Sequence, residues 1–234
     1  MTTPAISAAV TPACPLCAAP HSMPSPGAPP RTYYRCPVCA LIFVAPEERP
    51  TADEERAVYD LHENSPDDQG YRRFLARLCD PLLARLPPAS QGLDFGCGPG
   101  PTLSVMLEEA GHRMTVFDPF YAPYPERLAR RYDVITASEV VEHLHAPGQV
   151  LTDLIALLRH GGWLGIMTQR SDGVTDLTRW RYMHDSTHVC FFAKRSFDFL
   201  AEQHGLTVTF PRNDVVLMQR ASGGFDYEKI GIHV

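Results

Sequence analysis

Apolar positions along residues 92–219 recur in two patterns, one typical of buried strands and one typical of amphipathic helices. Short apolar runs predict strands at 92–95, 113–118, 132–137 and 163–168, and helical spacing predicts helices at 103–111, 149–159 and 196–204. Two further strands, 206–210 and 214–219, are close enough in sequence to form an antiparallel hairpin. Strands that alternate with helices predict an α/β fold with a doubly wound, mostly parallel sheet.

The first 90 residues follow a different pattern. Apolar residues recur at helical spacing over residues 71–86, where Pro81 is expected to kink or split the helix, and the acidic stretch 47–60 predicts a linking helix. A segment as short as residues 1–46 cannot bury enough core to fold without a cross-link such as a disulfide or a bound metal. The predicted organisation is a small unit at 1–46, linking and capping helices at 47–90, a main domain at 91–222 and a C-terminal tail at 223–234.

The cysteines indicate which kind of cross-link this segment has. Four of the seven form two Cys-x-x-Cys pairs separated by 18 residues, namely Cys14, Cys17, Cys36 and Cys39. This spacing is typical of four-thiolate zinc sites, and an odd, clustered set favours a metal site in a reducing compartment over a disulfide framework. Two unrelated thiol pairs or a redox motif are the alternatives. We predict a structural zinc ribbon and a cytoplasmic location.

Charge and hydropathy narrow the class of protein. The chain has 234 residues, with 21 basic and 27 acidic side chains and a net charge of −6, whereas nucleic-acid binders usually show a basic excess. No apolar run approaches the roughly 18 residues that span a bilayer. These features disfavour a nucleic-acid partner and predict no membrane span. The partner that we expect is a small molecule, and the oligomeric state stays open.

A glycine-rich loop follows the first strand of the main domain, in the segment Leu93–Gly100, LDFGCGPG. Its three glycines are Gly96, Gly98 and Gly100. The next strand ends at Asp118, which is the arrangement for a nucleoside whose ribose hydroxyls meet an acidic side chain. Asp94 would repel the pyrophosphate of a dinucleotide, so the loop favours a ligand that carries an amino group and a sulfonium cation.

The glycine loop, Asp118 and segment 132–144, YDVITASEVVEHL, resemble class I S-adenosylmethionine-dependent methyltransferases, and in particular the ubiquinone-biosynthesis O-methyltransferase-like subgroup. The resemblance extends over about residues 55–220. It implies a Rossmann-like fold and S-adenosyl-L-methionine as methyl donor. Three further segments are similar to a bacterial branch with an N-terminal zinc ribbon, at 59–64, 70–74 and 185–189.

The chain departs from this family after Asp118. Only 13 residues, 119–131, separate it from Tyr132, and the family's usual helix and third strand need about twice that length. We predict that the third strand is missing or rudimentary and that adenine contacts come from Pro119, Phe120 or Tyr121. The full set expected to contact the cofactor is Asp94, Gly96, Gly98, Gly100, Asp118, Pro119, Phe120, Glu139 and Tyr71. His62 and Asn64 are expected to face the same site.

A divalent cation is a second possible cofactor. If residues 139–143 are helical, Glu139, Glu142 and His143 share one face, and the resemblance implies that such residues hold a divalent cation. Alternatively, Glu139 packs beside the cofactor and the other two form a structural pair.

His188 is the favoured catalytic base and His143 the second candidate. His188 lies in an insertion after the strand 163–168, where the acceptor side of this fold commonly forms, and Asp185 could orient its ring. A lone histidine is more often structural. The predicted reaction is methyl transfer to an oxygen of a small molecule; an RNA methyltransferase that grips RNA with its ribbon and a non-catalytic ribbon-bearing scaffold are the alternatives.

Overall fold

The structure, a computed structural model, describes residues 11–61 and 64–222, so the expectations for His62 and the tail 223–234 lie outside the described residues. In chain order the elements are β1 (Met23–Ser25), β2 (Tyr33–Arg35), β3 (Ile42–Val44), α1 (Ala52–Tyr59), α2 (Gln69–Leu83), β4 (Gln91–Phe95), α3 (Thr102–Glu109), β5 (Arg113–Phe117), β6 (Tyr132–Ser138), α4 (Pro147–Ala156), β7 (Leu158–Met167), β8 (Cys190–Phe191), α5 (Lys194–His204), β9 (Leu206–Arg212) and β10 (Val215–Arg220). Short 3-10 helices span Pro46–Glu48, Pro125–Ala129, Val141–His143, Leu177–Arg179 and Arg181–His184. Within the described ranges, no helix combines the length and apolar character needed to cross a bilayer.

A six-stranded sheet forms the centre of the main domain, in the order β5-β4-β6-β7-β10-β9. Strands β5, β4, β6 and β7 are parallel, and β10 pairs antiparallel with both β7 and β9. The predicted doubly wound, mostly parallel sheet and its terminal hairpin are therefore confirmed. Strand β5 is one of the two edge strands, and the residues between β5 and β6 form an isolated bridge and a 3-10 helix but no strand. The third strand is missing, as the short spacing predicted.

Helix α2 packs on the sheet against β7 and β10. The Asp68 side chain caps the helix by accepting hydrogen bonds from the backbone N–H groups of Gly70 and Tyr71. A Cβ at Gly165 of β7 would lie 2.7 Å from a methyl carbon of Leu82, so a glycine is required where the helix meets the strand. The helix contains Pro81 without splitting and ends at Leu83, three residues before the predicted end.

The helix predicted at 149–159 ends earlier than expected. Helix α4 ends at Ala156, and residues 158–162 belong to β7 instead of the helix. The paired strands explain the difference: Tyr132 pairs with Leu158, and the register then shifts before Val134 pairs with Trp163. Gly161, with φ of +76°, lies within that irregularity, where glycine permits a backbone that other residues disfavour.

The cysteine-rich segment forms a second sheet, in the order β1-β2-β3-β8. Its fourth strand, β8, lies between β7 and β9 in sequence and pairs with β3, with Ile42 opposite Phe191 and Phe43 opposite Cys190. The first cysteine turn also packs against α4, because a Cβ at Gly148 would lie 2.3 Å from the backbone oxygen of Leu16. Residues of the ribbon and of the main sheet consequently share one hydrophobic cluster.

Candidate functional site

A cavity of about 810 Å³ lies where the parallel strands β4, β5 and β6 end. Ligands of open α/β sheets bind in the crevice outside these carboxyl ends. The cavity is lined by every residue predicted to contact a cofactor and by both candidate bases, namely Tyr71, Asp94, Gly96, Gly98, Gly100, Asp118, Pro119, Phe120, Glu139, His143 and His188. Asn64 also lines it, as expected. The fold therefore brings together residues that are more than one hundred positions apart in sequence.

The glycine loop connects β4 to α3. Gly96 and Gly98 have φ of +73° and +62°, a region that favours glycine. A Cβ at Gly100 would lie 2.0 Å from the backbone oxygen of Asn64, so the segment before α2 packs directly on the loop. A Cβ at Gly98 would meet no atom within 4 Å. The loop therefore presents open backbone to a ligand.

The Asp118 carboxylate holds the loops that follow β4 and β5. One oxygen accepts a hydrogen bond of 3.0 Å from the N–H of Gly98. The other accepts from the N–H groups of Phe120, at 2.8 Å, and Tyr121, at 3.1 Å. A carboxylate offers about four acceptor positions, so three backbone bonds leave one for a ligand hydroxyl.

Asp94 places a buried carboxyl at the floor of the cavity. It accepts hydrogen bonds from the hydroxyls of Thr136, at 2.6 Å, and Ser104, at 3.1 Å. Burial raises the pKa of Asp94 to about 6, although the two hydroxyl bonds oppose this shift. Sequence patterns did not identify Thr136 or Ser104, because neither lies near Asp94 along the chain.

Glu139 does not lie on a helix, so the condition for a common helical face with Glu142 and His143 is not met. It has φ of +52°, and the 3-10 helix begins only at Val141, because the chain turns sharply where β6 ends. Strained non-glycine backbone of this kind clusters at active sites and ligand-binding segments. Burial and the neighbouring Glu142 raise the pKa of Glu139 to about 9. Its carboxyl therefore faces the cavity largely protonated at neutral pH.

Glu142 is fully buried. Its carboxylate accepts hydrogen bonds from the hydroxyls of Tyr182, at 2.5 Å, and Thr168, at 3.0 Å. One ligand atom each of Glu142, His143 and His188 lies within 4.8 Å of the other two, and this set could hold a metal ion. This possible metal site differs from the one considered from sequence, because His188 takes the place of Glu139 beside Glu142 and His143.

The rings of His188 and His143 are held in the same way, each by a backbone carbonyl next to its Nδ1. The Nδ1 of His188 lies 2.7 Å from the carbonyl oxygen of Tyr182, and the Nδ1 of His143 lies 3.1 Å from that of Thr187. Each Nδ1–H therefore donates to a carbonyl, which leaves both Nε2 atoms as acceptors. The two ring centroids are 4.7 Å apart. This geometry suits two proton acceptors or two metal ligands.

His188 is buried, and burial is the main cause that lowers the pKa of its imidazole. The predicted orienting group, Asp185, has a carboxylate oxygen 3.9 Å from the Nε2 of His188. That carboxylate accepts instead from the N–H and hydroxyl of Thr187, at 2.9 and 2.7 Å. The carbonyl of Tyr182 orients the ring, and no sequence signal distinguishes one backbone carbonyl from another.

Ser138 adds an unpredicted polar group. Its hydroxyl lies at the end of β6 and lines the cavity. The Oγ is buried and has no hydrogen-bond partner among the described residues. A buried polar atom without a partner is costly, so it marks a position where a ligand atom would be satisfied.

The four ribbon cysteines lie close together. Their sulfur atoms are all within 4.8 Å of one another, with Cys14 and Cys39 at 3.5 Å and Cys17 and Cys36 at 3.4 Å. All four are free thiols. A hydrogen bond from Cys39 lowers the pKa of Cys14 to about 5. Four sulfurs in this arrangement fit a tetrahedral zinc ion.

Comparison with protein families gives one match. Residues 68–209 match the family model described as "Methyltransferase domain". None of the curated proteins compared with the chain matches it.

Several solved structures are similar in fold. The PH0226 protein from Pyrococcus horikoshii OT3 is 15% identical over 70% of this chain and 98% of its own, with a TM-score of 0.51. An O-methyltransferase family protein from Burkholderia thailandensis is 16% identical over 75% of this chain, with a TM-score of 0.47. This chain spans 65% of the length of the Burkholderia protein. Magnesium protoporphyrin IX methyltransferase from Synechocystis PCC 6803, with bound SAH, is 16% identical over 72% of this chain and 94% of its own, with a TM-score of 0.47.

Proposed function

The chain belongs to the methyltransferase-domain family, and we propose that it transfers a methyl group from S-adenosylmethionine to an oxygen atom of a small molecule. It is therefore a methyltransferase enzyme. One observation carries the more specific proposal: the glycine loop with Asp118 and the acceptor nitrogens of two histidines line the same cavity. A donor site and a proton acceptor are what an O-methyl transfer requires.

The described residues fit the donor. Open backbone at Gly98, the remaining acceptor position of Asp118 and the unpartnered hydroxyl of Ser138 supply contacts for a nucleoside and its amino acid. The carboxyl of Asp94 suits its cationic groups, and a bound cation would favour the ionised form of Glu139. The donor carries its methyl group on a sulfonium, so transfer is a displacement that depends mostly on positioning.

His188 has the role of general base in this proposal. Its Nδ1–H is held by the carbonyl of Tyr182, so the Nε2 lone pair is available to take the proton of an acceptor hydroxyl. The lowered pKa keeps the ring neutral near pH 7. His143 is the second candidate. A divalent cation on Glu142, His143 and His188 is the alternative route to the same deprotonation.

The ribbon belongs to the same proposal as a structural zinc site on Cys14, Cys17, Cys36 and Cys39. Zinc thiolates and free thiols favour a cytoplasmic location, because reducing compartments keep cysteines reduced. The proposal also divides the chain into a ribbon at 1–46, capping helices at 47–90 and a main domain at 91–222. It further includes likeness to the ubiquinone-biosynthesis subgroup.

RNA is the less favoured acceptor. Residues 1–46 contain two arginines and no lysine, and phosphate contacts depend on such cations. One of the two, Arg31, already donates its hydrogen bonds to backbone carbonyls of the same chain. A scaffold without catalysis is disfavoured by the cavity, whose donor-side residues are all present.

Calorimetry with S-adenosylhomocysteine tests the donor site, and a metabolite extract incubated with tritiated S-adenosylmethionine tests the acceptor. The proposal expects binding and label in a small organic molecule. Absence of binding would favour the scaffold, and label in RNA would favour the RNA methyltransferase.

A further inference from the structure

Arg31, in the ribbon, forms hydrogen bonds with the loop that carries His188. Its guanidinium donates four hydrogen bonds, all to backbone carbonyls of residues 183–188. The accepting carbonyls are those of Met183 at 2.5 Å, Asp185 at 2.8 Å, His188 at 2.9 Å and Ser186 at 3.2 Å. Arginine suits this task because its planar group presents five donors in a fixed geometry.

Other ribbon residues hold the same segment. The Tyr33 hydroxyl lies 3.3 Å from the carbonyl oxygen of Met183. The N–H of Val44 donates a hydrogen bond of 2.9 Å to the carbonyl oxygen of Val189. Immediately afterwards, β8 joins the ribbon sheet beside β3. Residues 183–191 are thus attached to the ribbon along their whole length.

The same loop fixes the His188 ring. The hydrogen bond from Nδ1 to the carbonyl of Tyr182 closes a turn over residues 182–188, and the four carbonyls bound by Arg31 all lie inside that turn. On its other side, the N–H of Val189 donates to the carbonyl of Glu142 at 2.8 Å. Without Arg31, all four carbonyls would lose these hydrogen bonds, and the turn would lose its main attachment to the ribbon.

We propose that Arg31 is a positioning residue for the acceptor side of the cavity, and that the ribbon thereby sets where the Nε2 of His188 points. The ribbon is then part of the active-site architecture instead of a separate module. This inference rests on the proposed function for the role of His188. It assigns to the cysteine site the task of keeping the strands around Arg31 in place.

The test is nitrogen NMR of the full chain labelled with ¹⁵N-histidine, recorded at pH 8.5, where the imidazole is neutral. The His188 resonances are identified by their loss in His188→Gln. The parent protein is expected to show a single Nδ1–H tautomer at His188. In Arg31→Ala a mixture of tautomers is expected, together with faster amide hydrogen exchange over residues 183–189, by tenfold or more.

Arg35→Ala is the matched control. Arg35 lies in β2 of the same ribbon, is exposed, and donates no hydrogen bond to residues 183–188. It is expected to leave the His188 tautomer and the exchange rates unchanged. Zinc content and affinity for S-adenosylhomocysteine are measured for every variant, and both are expected to match the parent in Arg31→Ala.

An unchanged tautomer and unchanged exchange in Arg31→Ala would overturn the proposal. So would an equal response in Arg35→Ala, because the effect would then be general to the ribbon. If the alanine variant does not fold, Arg31→Lys decides: its ammonium has three donors for four carbonyls, so faster exchange supports the proposal and parent-like exchange overturns it. Failure of the parent to bind S-adenosylhomocysteine would contradict the proposed function alone, since the NMR comparison needs no cofactor.

Discussion

The Asp118 carboxylate accepts a hydrogen bond of 3.0 Å from the N–H of Gly98, which joins the loop after β5 to the loop after β4. The same side chain also accepts two N–H bonds from its own loop. Asp118 therefore has two tasks in the proposed site: it shapes the glycine loop, and it offers its remaining acceptor position to a ribose hydroxyl.

Asp118→Asn is expected to weaken S-adenosylhomocysteine binding roughly 10- to 150-fold, because hydrogen bonds to a charged acceptor are worth about 1.5–3 kcal/mol. Calorimetry measures the change. Asp133→Asn is the control, since Asp133 lies at the amino end of β6 and binds Gln91 and Arg159 away from the cavity. Equal affinity of Asp118→Asn and the parent would remove Asp118 from the binding site.

The protein is expected to contain about one equivalent of zinc per chain when it is purified without added metal. Cys36→Ser should lose the metal, because only three thiolates then remain. Cys79→Ala, which changes a buried cysteine of α2 outside the ribbon, should keep it. Elemental analysis measures all three proteins, and iron in place of zinc, or a disulfide under reducing conditions, would contradict the prediction.

His188→Ala is expected to lower turnover about 10²- to 10⁴-fold while leaving S-adenosylhomocysteine affinity nearly unchanged. Burial lowers the pKa of His188 below its ordinary value of about 6.5, so the neutral, reactive ring is present at pH 7. Activity of the parent should therefore fall as pH drops below that lowered pKa, and the residual activity of the variant should lack this step. The assay uses tritiated S-adenosylmethionine and the acceptor that becomes labelled in the extract.

His143→Ala distinguishes a base from a metal ligand. If His188 acts alone as base, a chelator that leaves the ribbon zinc in place should not change the rate, and His143→Ala should have the smaller effect. Loss of activity on chelation, restored by a divalent cation in the parent but not in His143→Ala, would identify the metal route instead.

Binding of S-adenosylmethionine is expected to release a proton from Glu139. Its pKa of about 9 keeps the carboxyl protonated in the free protein at pH 7–8, and a bound sulfonium cation would favour the carboxylate. Affinity should therefore rise between pH 7 and pH 9. Calorimetry in two buffers of different ionisation enthalpy measures the released proton.

Two comparisons make this prediction specific. Glu139→Gln should bind without proton release, and S-adenosylhomocysteine, which lacks the sulfonium charge, should release less than S-adenosylmethionine. Equal release by Glu139→Gln and the parent would assign the proton to another group.

The sequence alone determined the features that depend on neighbouring residues. Alternating strands and helices, the glycine loop with Asp118 at the next strand end, and the absent third strand were all predicted, since periodicity, turn residues and spacing are local properties. Local pattern did not decide whether Glu139 lies on a helix: its neighbours permit one, but the chain turns at the end of β6, where Glu139 has φ of +52°.

Only the tertiary structure decided which distant groups meet. It placed His188 against the carbonyl of Tyr182 instead of Asp185, joined β8 to the ribbon sheet, and brought Arg31 to a loop more than 150 residues away. Backbone carbonyls are chemically identical along the chain, so no pattern of side chains reveals which of them an arginine or an imidazole will bind. That choice follows from packing of the whole core, in which the ribbon and the main sheet share one hydrophobic cluster.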